Sequence, residues 1–397
     1  MHKEEEKDKT RPESLPHDLI TEILTRLPVK SLTRFRSVST RFNSTILHPS
    51  FSKSHYHRST TATTVAGAST TLVLSFINRF NSERTIFSVT IPSNHTKSLP
   101  NPTRILTIPG FKHPFVSQPL NGLICFNLGC MCVCNPSTRK FIKLPWTKPE
   151  FNSQSPACTS HRTNAFGYDM VSNAHKVLDT WITCYESEII MEHRVFTIGS
   201  GSDTWRRIMG GLAYLPFNES VCISGQIYFR AFRSLIASES PVMAAFDVHR
   251  EEFRFFEMGD DVIFNSEESV LMEHDGCLTI VDHQGFANGV DSGLLMWILV
   301  DEKDGKWVKK RVEIPAIYSE INDRRRYLYT GTTLSGEMIF AEKSLVSPFF
   351  VLFYDIKKNE VKKVEICGLT DFEFKFGHVL MNVTSVNEHV ESIMSLS

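Results

Sequence analysis

Residues 14–58 read SLPHDLITEILTRLPVKSLTRFRSVSTRFNSTILHPSFSKSHYHR, and their pattern decides how the rest of the chain is read. Leu15, Leu19, Ile20, Ile23, Leu24 and Leu27 recur at helical spacing. At ~100° per residue they form a stripe roughly 180° wide, against the ~100° that packing on one core needs. Pro28 stops this helix, and Ser31 is placed to cap a second one, on which Leu32, Phe35, Val38 and Phe42 share a face. Pro49 closes the unit ahead of Phe51. So small a unit buries too little surface to be robust alone. A helix apolar on two sides reads as half of an interface.

The whole chain has 397 residues, room for two domains, one of them large. With 43 basic and 44 acidic residues, it offers no electrostatic case for nucleic acid or an anionic membrane. Locally the balance is uneven. Between Ser14 and Arg58, Arg26, Lys30, Arg34, Arg36, Arg41, Lys53 and Arg58 face only Asp18 and Glu22. That excess suits an acidic partner surface and speeds encounter more than it deepens affinity. A DNA-reading bundle would need Asn or Gln beside the arginines of its second helix, which lacks them. Residues 1–13, MHKEEEKDKTRPE, are a disordered tail by composition and hold no apolar stretch for a secretory signal. The longest purely apolar run, Leu294 to Val300, is far short of a membrane span. Nine cysteines, an odd number, fit reduced thiols in the cytoplasm or nucleus.

Residues 59–71, STTATTVAGASTT, are small and polar, and a linker is expected there. Beyond it the texture changes. NGLICF at 121–126, SGQIYF at 224–229, DGCLTI at 275–280 and SGEMIF at 335–340 each join a polar residue and a Gly to an apolar β pattern. FGYDM at 166–170 supplies Gly167 for the missing copy, giving a mean step of about 53 residues. A second feature, strand–polar turn–strand, recurs six times. The copies are IFSVTIPSNHTKSLPNPTRILTI, VCNPSTRKFIKLP, HRVFTIGSGSDTWRRI, MAAFDVHREEFRFFEM, LLMWILVDEKDGKWVKKRVEI and VLFYDIKKNEVKKVEI. Two short strands plus a hairpin make a four-stranded unit, and a period near 50 is that of propeller blades. The expected fold is mainly β: a small N-terminal α-helical unit, then a β-propeller of about six blades over residues 72–397. Its apolar blade faces force the array to close on itself, and HVLMNVTSV at 378–386 is free to return to the first blade.

Catalytic candidates are few. Cys130, Cys132 and Cys134, near Cys125, are the most metal-like cluster. On one strand face they stand about 6.6 Å apart by rise, whereas thiolates sharing a zinc at ~2.3 Å approach within about 4 Å of each other. Buried thiols are the better reading, and no metal site is assigned. No phosphate loop, H-E-x-x-H or G-x-S-x-G occurs, and no cofactor is expected. Arg324, Arg325 and Arg326 are a charged loop that could also form a basic rim against a substrate protein.

Residues 15–42 closely resemble the F-box in its plant form, LPxxLxxEIL-x-RLPVKSLxRFRxVxxxWxxxIxxPxF, with Phe42 in place of the usual Trp and Ser39 where Cys is common. The strand region resembles the F-box-associated domain of plants, carried by NGLICF…VCNPSTRKFIKLP, AFGYDMVSNAHKVL, HRVFTIGSGSDTWRRI, FDVHREEF, MWILVDEKDGKWVKK and HVESIMSL. His175 and His389 stand where that family often has an aromatic. Kelch repeats carry a Gly-Gly pair in each blade, so the likeness to kelch is one of shape at most. The resemblance implies docking on the Skp-type adaptor of a cullin–RING ubiquitin ligase through Leu15, Pro16, Leu19, Ile20, Ile23, Leu27, Pro28, Leu32, Phe35 and Phe42. It implies a non-catalytic subunit whose propeller holds an unidentified protein for ubiquitination, without nucleic acid or membrane. The rivals are a scaffold that binds the adaptor without delivering a client, and a propeller enzyme with convergent polar groups at its channel.

Overall fold

The computed structural model describes residues 15–64, 69–92, 100–109, 116–151, 159–185, 188–202, 204–209, 213–233, 241–259, 262, 269–287, 293–314, 326–369 and 381–396. The segments read as a charged tail and most of the basic run (Arg324, Arg325) lie outside these.

Four helices lead: α1 (His17–Thr25), α2 (Val29–Phe35), α3 (Thr40–Leu47) and α4 (Pro49–Thr63). They correct three local readings. Pro28 occupies the N-cap of α2, so Ser31 lies inside that helix rather than at its cap. Ser39 breaks the second apolar face: its hydroxyl accepts from Arg41 N and starts α3, separating Leu32 and Phe35 from Phe42. Pro49 opens a helix instead of closing the unit, because the first helical position tolerates a missing N–H. The expected linker is largely structured, since α4 runs to Thr63 and the first strand starts at Thr70. Thr60 and Thr63 hydroxyls bond back to the Tyr56 and Ser59 carbonyls, so this Thr-rich run satisfies itself as helix.

Six sheets follow. The first contains β1 (Thr70–Asn78), β2 (Arg84–Ile91) and β3 (Thr103–Ile108); the second β4 (Ile124–Asn127), β5 (Met131–Asn135) and β6 (Lys140–Lys143). The third has β7 (Thr159–Asp169), β8 (Ala174–Tyr185), β9 (Glu188–Thr197) and β10 (Arg206–Ile208); the fourth β11 (Leu215–Ile223), β12 (Gln226–Phe232), β13 (Pro241–Asp247) and β14 (Glu252–Glu257). The fifth has β15 (Ser269–His274), β16 (Cys277–Asp282), β17 (Gly293–Asp301) and β18 (Lys306–Glu313); the sixth β19 (Tyr327–Thr332), β20 (Met338–Glu342), β21 (Phe349–Asp355) and β22 (Glu360–Ile366). The last strand, β23 (Met381–Glu388), pairs antiparallel with β1, with Leu74 opposite Val386, and becomes the innermost strand of the first sheet. Each expected hairpin forms the outer half of a blade. In the second blade the inner strand is reduced to the bridges Val116–Phe126 and Leu120–Leu123 among the described residues.

An apolar core fills each of the six seams between neighbouring blades. Central strands therefore read as unbroken apolar runs. In β13, Val242, Ala244 and Phe246 face the third blade while Met243 and Ala245 face the fifth. Turn chemistry repeats with the blades. Asn121–Gly122, Ser224–Gly225 and Asp275–Gly276 all have positive φ at both residues, as two-residue hairpin turns require. Gly167 is not a member of this series. It lies inside β7, and a Cβ there would stand 2.7 Å from Ile227 Cδ1 and Val248 Cγ2, so it is small to let the fourth blade approach. The equivalent turn of the third blade is 170–173, braced by Asp169 Oδ1 accepting from Val171 and Ser172 N–H.

Ring closure depends on β23, so a chain ending before Met381 leaves β1 and β19 without their neighbour. Such a truncation is expected to aggregate or to lower the melting temperature of the whole ring, read by size exclusion and scanning fluorimetry; a soluble monomer of unchanged stability would refute closure. A second expectation concerns protons. Burial lowers His175, His193, His283 and His389 from the usual 6.5 to about 4. Between those values the unfolded chain binds protons that the folded one refuses, so stability is full above pH 6.5 and falls toward pH 4. His175→Phe, stacked against Phe166 like the native ring, should flatten that slope in melts taken from pH 7 to 4.

Candidate docking surfaces

The wide stripe of α1 divides along its length. Leu24 is buried, and Ile20 and Leu27 are half-buried, against Val29, Leu32, Ile46, Phe51 and Phe42 in one small core. The opposite ridge stays open: Leu15, Leu19 and Ile23, four residues apart, are each about half exposed (53%, 51% and 51%). Pro16 is exposed at the N-cap position of α1, and Pro28 is exposed at that of α2. Phe35 is partly exposed at the end of α2, in edge contact with Phe42 at 5.9 Å, and Val38 beyond it is 67% exposed. Leu32 departs from expectation. It is 0% exposed and belongs to the core that holds the ridge in place, so it is not on the open surface. Glu22 takes Arg26 at 2.7 Å and Arg58 at 2.8 Å, tying α1 to α4 and drawing its carboxyl below the usual range, chiefly through the Arg26 hydrogen bond.

The helical core is completed from the other end of the sequence. After β23 the chain continues as a strap, residues 389–396, whose Ile393 is buried among the helices. Glu391 Oε2 accepts from Val29 N at 3.1 Å, the first backbone donor of α2. The same strap is stitched to the second blade. Asn135 Nδ2 donates to Ser392 O (2.9 Å) and Met394 O (3.1 Å), and Ser137 Oγ is hydrogen-bonded to His389 Nε2 at 3.0 Å. Leu396 and Met394 enter the seam between the second and third blades. Gly122 has no side chain because a Cβ there would fall 2.2 Å from Ser392 Cβ. A direct bond, Lys53 Nζ to Asn173 Oδ1 at 3.0 Å, joins α4 to the third blade. Phe51 packs with Ile393 in the helical core. The strap was not legible in advance, because its apolar residues serve different cores and carry no period.

These contacts give the ring two unlike ends. First-to-second and third-to-fourth strand turns share the helical end, and outside the 92–102 connection of the first blade most are short, such as 121–122, 224–225 and 356–359. Blade-to-blade connectors leave and return at the far end, and several are long: 144–158, 258–268, 314–326 and 367–380. The cysteines of the second blade point away from chemistry. Cys132 and Cys134 lie in the seam with the first blade and Cys125 in the seam with the third. Burial pushes the Cys132 and Cys134 thiols up to about 12. Among the described residues no group of three or more His, Cys, Asp or Glu is arranged to hold a metal ion, and no helix is long and apolar enough to cross a membrane.

Comparison with known proteins assigns both parts. Residues 12–54 match the F-box domain, and residues 72–390 match the F-box associated beta propeller domain. Arabidopsis thaliana relatives match nearly the full length. F-box protein At1g30790 is 29% identical over 96% of this chain and 98% of its own, and F-box protein DOR is 26% identical over 96% and 94%. A solved Penicillium chrysogenum alpha-L-arabinanase overlaps 74% of this chain and 81% of its own at 9% identity and a TM-score of 0.33, too low to carry an argument about activity. With the propeller model spanning most of its length, the chain belongs to the F-box-associated β-propeller family, carrying an F-box ahead of the ring.

Proposed function

We propose that this chain is the substrate-recognition subunit of an SCF-type ubiquitin ligase, acting in the cytoplasm or nucleus. The observation that carries the reading is the ridge Leu15–Leu19–Ile23, left open on a helix whose other side is locked into a core. An Skp-type adaptor, itself bound to a cullin–RING assembly, covers that ridge together with Pro16, Pro28 and Phe35; Ile20, Leu27, Leu32 and Phe42 support it from beneath. The basic residues around it favour an acidic partner. A client protein sits on the far end of the ring, where the blade-to-blade connections begin and end, opposite the four N-terminal helices.

The chain contributes proximity rather than bond chemistry. Holding a client lysine near the ubiquitin-charged enzyme turns a bimolecular attack into an effectively intramolecular one, provided the reach is fixed. The strap supplies that fixity, because it is anchored in the helical core and in the second blade at once. No cofactor or metal enters this reading.

Two outcomes follow. Leu15→Ala with Pro16→Ala should weaken adaptor binding about thirtyfold by calorimetry, as loss of central apolar anchors does, with the ring's melting temperature unchanged. Full affinity in that double variant would sink the assignment. Cutting only the strap's grip on the helices, with Glu391→Ala and Ile393→Ala, should leave the ring intact but broaden the distance distribution of the adaptor-bound chain in small-angle scattering. A single compact arrangement in that variant would show that the strap does not set the reach.

A further inference from the structure

The third blade is taller than its neighbours. β8 has 12 residues where β12, β16 and β20 have 7, 6 and 5. At ~3.3 Å per residue the excess over β12 is roughly 16 Å. Because the turns of the helical end are aligned, the extra length rises at the far end as a wall formed by Thr159–Thr163 and Ile182–Tyr185. Strand alternation puts one set of its side chains on the side facing the second blade. Phe166 and Val177 pack in the seam, then Asn164 and Asp179, then Arg162 and Trp181, follow outward as cross-strand pairs.

Arg162 is the centre of this set. Its guanidinium lies between two indoles, 5.8 Å from the Trp146 ring and 5.5 Å from the Trp181 ring. Its Nε donates to Asp179 Oδ1 at 2.5 Å, but Asp179 cannot complete the usual two-pronged pairing. Asp179 Oδ2 is taken by the Thr147 hydroxyl at 2.6 Å, and Oδ1 also accepts from Asn164 Nδ2 at 2.7 Å. Arg162, whose side chain is 10% exposed, is left with an Nη2 that has no acceptor. The other nearby carboxylates are committed. Glu192 receives the backbone N–H groups of Glu150 and Phe151 as well as Arg194, and Glu150 pairs with Arg207. Lys148 is exposed and makes no ion pair among the described residues. Trp146 is 63% exposed yet held, since Pro145 O accepts from Trp205 Nε1 and Thr147 is fixed on both Asp179 and Trp181. A rigid, exposed Trp beside a guanidinium with one nitrogen unsatisfied is what a binding hot spot is made of.

We propose that the Trp146–Arg162 corner is the client-docking anchor, and that it takes an extended acidic peptide segment: a carboxylate at Arg162, its apolar neighbour against Trp146. This rests on the client-delivery reading above and names the chemistry of the client. Asp179, shared with Thr147 and Asn164, answers the Arg162 charge only through Nε, and a client carboxylate adds to that pairing on binding, which makes the corner selective for acid over amide.

The test uses the full chain and two fluorescein-labelled peptide pools, one with Asp or Glu fixed beside a Phe or Leu, the other identical but with Asn or Gln. Anisotropy should show the acidic pool bound about tenfold more tightly, and the preference should vanish in Trp146→Ala and in Arg162→Lys. Phe80→Ser, which removes another exposed aromatic from the same end of the ring, should leave it unchanged. Melting curves of each variant establish that the ring is folded, and for Arg162→Lys the retained charge guards against collapse of the Asp179 site. Equal binding of the two pools, or a preference untouched by Trp146→Ala, would overturn the proposal. Adaptor affinity measured on the same samples keeps the two readings apart: its loss would refute the ligase assignment while leaving peptide discrimination standing.

Discussion

The pairing of β23 with β1 is the interaction on which everything else rests. It joins the two ends of the propeller sequence, so it is formed against the full loop-closure entropy of the ring. What offsets that entropy is not the ladder alone. Closure simultaneously seals the seam between the sixth and first blades, where Leu72, Leu74 and Phe76 meet Ile339, Phe349 and Val351, with Val383 and Val386 of the closing strand. A blade missing either neighbour would show water one of its two apolar faces. Cooperativity follows from geometry: six seams, each shared, and the last completed only when the ring closes.

The same terminal segment then performs a second task. Residues 389–396 leave β23 at the helical end and pass directly into the small core under α1 and α2. Ring closure and helix placement are thus consecutive events along one stretch of chain. The polar groups that hold the strap, Asn135 and Ser137, come from an outer hairpin turn of the second blade, whose first residue also braces its own turn by accepting from Ser137 and Thr138 N–H. A turn motif that elsewhere only reverses the chain, as at Asp247, Asp301 and Asp355, is here also a fastening.

Much of this was legible in the residues. Apolar spacing in Leu15–Leu27 announced a helix with two apolar sides, and the structure assigns one side inward and one outward. Strand–turn–strand texture marked the six outer hairpins, and in four of them an Asp or Asn at the turn start (Asn135, Asp247, Asp301, Asp355) and a left-handed residue near its end are written locally. What escaped was non-local. Leu32 has the same composition and period as its exposed neighbours, and only the arrival of Ile393 marks it as core. Gly167 looked like a turn glycine, although its smallness answers to Ile227 and Val248 of the next blade. The Trp146–Arg162 corner likewise combines a connector with two strands, and each contribution is unremarkable by itself. Ser39 and Pro49 were different: their cap signals were present, and stronger periodic cues nearby masked them.

The strap also fixes an order of events during synthesis. The helices emerge from the ribosome ahead of the ring, yet Glu391 and Ile393, which cap the second helix and complete the helical core, follow it, Glu391 lying 362 residues beyond Val29. The helical unit therefore waits on the whole propeller before it is finished and seated. A chain cut short by a premature stop codon has an F-box ridge but neither a closed ring nor an anchored helix pair. Such a product carries only a loosely held helical unit, so firm seating of the helices reports that the chain was made through the strap beyond β23.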